Sequence, residues 1–219
     1  EVFFNTGTDE HGSKILQKAK EEGMSAQAFV NQISEFFKIL YGKLLISNDD
    51  FIRTSDKEKH WPGAQKLWEK LVASGDLYKK NYKGFYCVGC EGFITEKELV
   101  NGLCVLHNKA PEVVEEENYF FRLSKYEKIL EEKILSNELR VFPEVRKNEI
   151  ISFIREGLED ISFSRPEASV PWGVPVPNDK THMMYVWCDA LSNYITGVGY
   201  GSDEEQFNSL WPADMHIIG

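Results

Sequence analysis

The chain has 219 residues, 42% of them hydrophobic and 27% charged, with a formal net charge of −10 at pH 7. That is material for one large domain or two smaller ones around an ample core, and no apolar run is long enough to cross a membrane. The acidic balance excludes a chain that grips nucleic acid chiefly through its own basic surface, while leaving room for a local basic patch.

In chain order, Val2 to Thr6 is short, apolar and β-favouring, and Gly7-Thr-Asp-Glu-His-Gly12 turns before a helical stretch from Ser13 to Glu22 that Gly23 ends. Ser25 to Leu40 carries a helical period through Phe29, Ile33, Phe36, Phe37 and Leu40. Ser55 with Glu58 reads as a capping box, followed by a helix through Leu67, Trp68, Leu71 and Val72 to Gly75. From Leu77 to Asn118 the pattern changes to short strands and turns, with the acidic run Glu115 to Glu117 near its end. Ser124 and Glu127 read as a second capping box, and Pro143 opens a helix whose apolar face is Ile150, Ile151, Phe153 and Ile154, stopped by Gly157. After Ile161 to Ser164, the proline-rich stretch Pro166 to Pro177 is too donor-poor for a central strand. Met183 to Trp187 reads as a buried strand running into a helix from Asp189. Strands separated by helices predict a parallel sheet, here divided by an insert.

The insert holds the most specific signal. Cys87, Cys90, Cys104 and His107 form a C-x2-C-x13-C-x2-H array, with Gly89 and Gly92 around the first pair and Gly102 before the second. Two close pairs of soft ligands suit a tetrahedral Zn2+ ion; reduced thiols or a disulfide are the plainer alternatives, and a disulfide framework suits small secreted chains better than this large one. Four protein ligands leave no open position, so the metal would be structural and the chemistry would lie elsewhere.

Ligands of open parallel sheets sit beyond the carboxyl ends of strands, which picks out Thr8-Asp9-Glu10-His11-Gly12 and Trp187-Cys188-Asp189-Ala190. Taken alone, Asp9 is equally a helix cap, His11 a polar loop residue, and Trp187 and Tyr194 core fillers. Cys188 reads as a buried thiol, because no motif near it supplies a base. There is no phosphate loop of the G-x-x-x-x-G-K type and no Ser-His-Asp spacing.

The ordered combination says more than any one block. Phe4-Asn-Thr-Gly-Thr-Asp-Glu-His-Gly12, Asp50-Phe-Ile-Arg-Thr54, the paired cysteine and histidine array, Glu117-Asn-Tyr-Phe-Phe-Arg-Leu-Ser124, Ile161-Ser-Phe-Ser-Arg-Pro166, Trp172-Gly-Val-Pro-Val-Pro177, Tyr185-Val-Trp-Cys-Asp-Ala-Leu191 and His216-Ile-Ile-Gly219 follow one another. Together they closely resemble the methionyl-tRNA synthetases of the bacterial single-knuckle type, over essentially the whole chain. The departures are Leu191, where some relatives have proline, and Cys188, where many have an aliphatic residue.

The resemblance implies an α/β fold with a Rossmann-like parallel sheet interrupted by a small zinc-binding connective domain, divided as 1–78, 79–122 and 123–219. It implies ATP-dependent activation of methionine and transfer to tRNA(Met), with ATP used together with Mg2+. Asp9 would receive the methionine ammonium, and Trp187, Ala190 and Tyr194 would line the side-chain pocket, where aromatic walls suit a polarizable thioether. Arg165 would act on the triphosphate or its developing charge, and His11, Gly12 and Gly219 would lie along ATP. Family members carry a His-Ile-Gly-His signature and a Lys-Met-Ser-Lys-Ser loop that this sequence lacks. It is therefore expected to be an internal piece of the catalytic region, inactive alone and cytoplasmic or organellar. Another class I synthetase, or a non-catalytic zinc module derived from one, is the rival reading. A zinc hydrolase is disfavoured by the closed ligand set.

Overall fold

The computed structural model describes residues 2–96 and 99–218. Strand β1 (Asn5–Thr8) leads into helices α1 (Ser13–Glu21) and α2 (Ala26–Lys43), then β2 (Asp50–Arg53) and α3 (Trp61–Ala73). The middle of the chain is built from β3 (Leu77–Cys87), β4 (Gly92–Ile94), β5 (Leu99–Val100), β6 (Leu103–Cys104) and β7 (Glu112–Phe121). A 3-10 turn at Leu123–Tyr126 opens α4 (Glu127–Leu135), followed by α5 (Glu144–Arg155), β8 (Ile161–Ser162), β9 (Ser164–Pro166), β10 (His182–Met184), α6 (Val186–Thr196) and α7 (Glu204–Leu210). No described helix is long and apolar enough to cross a membrane.

The architecture is mixed α/β. Strands β1 and β2 pair in parallel from Asn5↔Asp50 to Thr8↔Arg53, with α1 and α2 in the crossover between them. This is the one parallel pair among the described residues; the other sheets are antiparallel, the largest having the order β4-β3-β7-β8. A single parallel pair is too little to define a Rossmann-like sheet by itself. The long β3–β7 ribbon, in register from Leu77↔Phe121 to Tyr86↔Glu112, carries the cysteine and histidine ligands at its far end.

Several local expectations are corrected. The first strand begins at Asn5, not Val2. Ser55 does not cap: its hydroxyl is drawn to buried Glu10, and Asp56 accepts the backbone N–H groups of Glu58 and Lys59 instead. Ser124 likewise donates to Asp160 at 2.6 Å, while Glu127 accepts the amide of Leu158, so neither makes a capping box. Ser25 does cap α2, accepting from the amide of Ala28. The periodic apolar face of α2 is largely uncovered, since Val30 and Ser34 are its buried residues while Phe36 and Phe37 are exposed. On α5, Ile151 and Ile154 pack inward and Ile150 and Phe153 face out. The strand expected over Met183 to Trp187 ends at Met184, where it pairs antiparallel with β9, and α6 already begins at Val186. Trp187 therefore belongs to a helix face.

The main core joins α3, the strands and α6 through Ala64, Trp68, Leu77, Phe163, Val174, Met184 and Cys188. A fully buried aliphatic residue such as Val174 contributes roughly 1.5–3 kcal/mol relative to an exposed one. Close approach of α3 to α6 depends on Gly63, where a Cβ would stand 2.5 Å from the Thr196 methyl group on α6 and 2.1 Å from the carbonyl oxygen of Tyr200 just beyond it. That approach brings His60, at the start of α3, onto α6.

Candidate functional site

At the end of the ribbon, Cys87, Cys90, Cys104 and His107 converge, with one ligand atom from each lying within 4.8 Å of all the others. The Cys90 and Cys104 sulfurs are 3.5 Å apart, and His107 Nδ1 lies 3.2 Å from the Cys90 sulfur and 3.9 Å from each of the other two. A disulfide needs about 2.05 Å between sulfurs, whereas the edge of a tetrahedron built on Zn–S bonds of about 2.3 Å is roughly 3.8 Å. The donor set fits a closed structural zinc site. Its electrostatics agree: the hydrogen bond from His107 brings the Cys104 thiol down to about 6, whereas burial and the neighbouring sulfurs push Cys90 up to about 12. Several thiolates packed together lack the positive charge that a divalent ion supplies.

The second cluster lies beyond the carboxyl ends of β1 and β2. Glu10, 2% exposed, takes a bidentate pair from Arg53 at 2.7 and 2.9 Å, accepts from Thr8, and has its own N–H bound to Thr54. Its carbonyl accepts the indole N–H of Trp172 at 2.7 Å. These bonds lock the loop and turn His11 inward, where Nδ1 meets Asp189 Oδ2 at 2.6 Å and the ring packs edge-on against Trp172. The other oxygen of Asp189 takes His60 Nε2 at 2.7 Å, and His60 Nδ1 faces the Thr196 hydroxyl at 2.7 Å.

Asp189 is wholly enclosed. Burial pushes its carboxyl up, but hydrogen bonds from His11 and His60 outweigh that and hold it below the usual carboxylate range. An ionised Asp189 only accepts, so His11 Nδ1 and His60 Nε2 both carry protons toward it. His11 Nε2 is buried without a partner.

Helix α6 has two distinct faces. Val186, Cys188, Asp189, Ser192 and Thr196 are buried, while Trp187, Leu191 and Tyr194 are 48%, 52% and 36% exposed and Ala190 is half-buried. Spacings of three and four residues gather Trp187, Ala190, Leu191 and Tyr194 into one apolar stripe. Tyr194 meets His216 edge-on, and the Trp187 indole donates to the Glu91 carbonyl at 3.0 Å.

Asp9 does not cap α1. The N-cap is Gly12, with φ 102° and no side-chain cap bond. Asp9 is exposed as a residue, yet the protein around its carboxyl and the charge of Asp189 push it up to about 7, against the backbone bond from His11 that favours ionisation. Arg165 is 5% exposed, stacks on Tyr86 at 4.2 Å and makes a bidentate pair with Glu116 at 2.7 and 3.0 Å. Burial raises the Glu116 carboxyl, but Arg165 outweighs this and lowers it. Arg165 Nη1 is buried without a partner, and the residue lines a small cleft with Gly12, Trp172 and Val186. Gly219 lies outside the described residues.

The structure thus gathers Trp187, Ala190 and Tyr194 on one face of α6, holds His11 against the buried face of the same helix through Asp189, and sets Gly12 and Arg165 around one cleft. Sequence reasoning missed His60, Glu91 and Glu116. His60 has no local signal, because its partner is 129 positions away. Glu116 was hidden in an acidic run, although strand alternation puts it on the inward side of β7 with Asn118 and Phe120.

A family model described as tRNA synthetases class I (M) matches residues 1–104 and 93–219. The methionine–tRNA ligase of Thermotoga maritima is 46% identical over 223 residues, covering 100% of this chain and 35% of that protein. That of Streptomyces coelicolor is 44% identical over 227 residues, covering 100% and 42%. Among solved structures, Mycobacterium tuberculosis methionyl-tRNA synthetase bound by methionyl-adenylate superimposes with a TM-score of 0.93 at 44% identity, covering 100% of this chain and 44% of that one. The apo, free-state structure of the same enzyme gives 0.79 at 35% identity, covering 99% and 50%. The chain spans between about a third and a half of the length of these proteins.

Proposed function

This chain belongs to the class I methionyl-tRNA synthetases, and from that membership we propose that it supplies the amino-acid site and the zinc-bearing insert of a methionine–tRNA ligase. The full-length protein joins methionine to ATP, used with Mg2+, to give methionyl-adenylate and pyrophosphate, and then passes the methionyl group to tRNA(Met). Residues 1–78 and 123–219 form two parts of the catalytic domain and 79–122 the connective insert. Cys87, Cys90, Cys104 and His107 hold the insert around structural zinc.

Two observations carry the substrate reading: a titratable carboxylate, Asp9, in the loop after β1, and the exposed apolar stripe of α6. An α-amino acid with an apolar side chain needs both features. Asp9 takes the ammonium, while Trp187, Ala190 and Tyr194 contact the thioether. Gly12 lies on the ATP side, in the loop before α1. His11 supports that loop from beneath, and Arg165 faces the developing phosphate charge through its unpaired Nη1. Gly219 completes the ATP side.

The raised pKa of Asp9 makes this reading testable through pH. Up to about 7 the folded protein keeps Asp9 largely protonated, so below that value a proton must leave before an ammonium ion binds. Methionine binding to the full-length protein should weaken about tenfold from pH 8 to pH 6. Asp9→Asn should bind methionine at least about tenfold more weakly at pH 8, as expected for loss of a charged hydrogen bond, and show no such pH dependence. Because an elevated carboxyl pKa means that the ionised group opposes folding, Asp9→Asn should melt no lower than the parent at pH 8. Methionine-dependent ATP–pyrophosphate exchange and paired thermal melts are the measurements. Unaltered methionine kinetics in Asp9→Asn would overturn the ammonium role.

A further inference from the structure

Glu91 directly follows the second cysteine of the first ligand pair, in a left-handed conformation with φ 46°. Its main-chain oxygen accepts from the Trp187 indole N–H at 3.0 Å and from the Tyr185 hydroxyl. Its carboxylate reaches across to α1, where Oε1 accepts the Lys14 amide at 3.4 Å and Oε2 lies 3.9 Å from Lys14 Nζ. The fit at α1 is close enough that a Cβ on Gly12 would stand 2.5 Å from Oε1. Beneath these contacts, Tyr86, Tyr185 and Val186 form a small core with Val88 and Phe93, joining the insert to the start of α6. One residue therefore touches the metal turn, the loop after β1 and the first turn of α6.

We propose that Glu91 is a positioning residue for Trp187: with its carboxylate anchored at the Gly12–Lys14 turn and its backbone fixed by the metal turn, its carbonyl sets where the indole sits. The effect on methionine rests on the reading that Trp187 lines the amino-acid pocket; the effect on the indole does not. A carbonyl held from both sides is a fixed acceptor, and an indole has a single N–H to give it. The geometry of the insert is thereby transmitted to a side chain of α6.

The test uses the full-length protein labelled with 5-fluorotryptophan, the Trp187 fluorine resonance being assigned by its loss in Trp187→Phe. Glu91→Asn suits the left-handed turn and shortens the side chain, so it withdraws the carboxylate from Gly12 without opposing the turn. Glu91→Gln keeps the length and an acceptor oxygen. We expect Glu91→Asn to retain one zinc per chain, shift the Trp187 resonance in the absence of ligands, and raise the KM for methionine about fivefold, the size of effect expected for one lost hydrogen bond. The KM for ATP should stay within about twofold, and Glu91→Gln should resemble the parent in every readout. In a Trp187→Phe background, which lacks the indole N–H, Glu91→Asn should add little. An unmoved Trp187 resonance overturns the proposal, as does a methionine effect that persists undiminished without the indole. Zinc loss from Glu91→Asn also overturns it, by making Glu91 a residue of the metal turn alone. A shifted resonance with methionine KM unchanged in both Glu91→Asn and Trp187→Phe sustains the positioning role and sinks the pocket reading instead.

Discussion

Cys104→Ala is expected to abolish stoichiometric zinc and to unfold the metal-bearing end of the insert while the β3–β7 ribbon and the core around Trp68 and Val174 stay packed. Beyond the ribbon, that end has little else to hold it. Strands β5 and β6 are two residues each, and the buried groups there are Cys87, Ile94 and Cys104, two of which are ligands. Structural zinc in small domains is worth roughly 10–16 kcal/mol of apparent binding free energy at neutral pH, far more than two short strands supply. Limited proteolysis should therefore cut within residues 88–110 of Cys104→Ala, or of the chelated parent, and leave α3 and α6 protected. Retention of the metal by Cys104→Ala would count decisively against the assigned ligand set.

Asp189→Ala should be the most damaging single change in the α/β core. Asp189 is fully buried and serves His11 and His60 at once. Its removal leaves two enclosed ring N–H groups without acceptors, a loss of roughly 3–5 kcal/mol by analogy with broken buried pairs, set against a total of about 5–15 kcal/mol for a typical domain. The pH dependence has a definite sign. Because the folded state holds the Asp189 pKa below its unfolded value, the stabilisation is fully present above the unfolded value and is lost as pH falls through the folded one. Urea unfolding should show the full gap between parent and Asp189→Ala at pH 7, with the two curves converging in strong acid. A gap that stays constant into acid would mean that the carboxylate charge is irrelevant. Asp189→Asn, which keeps one acceptor oxygen, should fall between the two.

Much of this was legible in the sequence, for local reasons. The metal array was readable because ligand spacing is written along the chain, and the helix boundaries at Gly23, Gly75 and Gly157 were readable because chain reversal there uses left-handed backbone. What misled were polar residues whose partners are distant. Ser55 and Ser124 look like caps in a window of four residues, but Glu10 and Asp160, 45 and 36 positions away, compete for their hydroxyls. Helix α6 was placed too late because β-favouring Met184, Tyr185 and Val186 continue the apolar run of β10, and the chain changes direction within it. The buried service of His60 and Glu116 had no local trace beyond alternation along β7. Family resemblance, in contrast, was carried by block order, which needs no contacts to be read.

The β3–β7 ribbon also acts as a ruler. Its ten paired positions set both the distance from the core to the metal turn and the face on which that turn emerges. Lengthening each strand by one residue would advance the turn by about 3.4 Å and roll it to the opposite face of the sheet, detaching Glu91 from Trp187. Adding two to each would restore the facing but carry Glu91 about 7 Å beyond the indole. Ribbon length in working relatives should therefore be quantised, tolerating sequence change at nearly every position and tolerating almost no change in number.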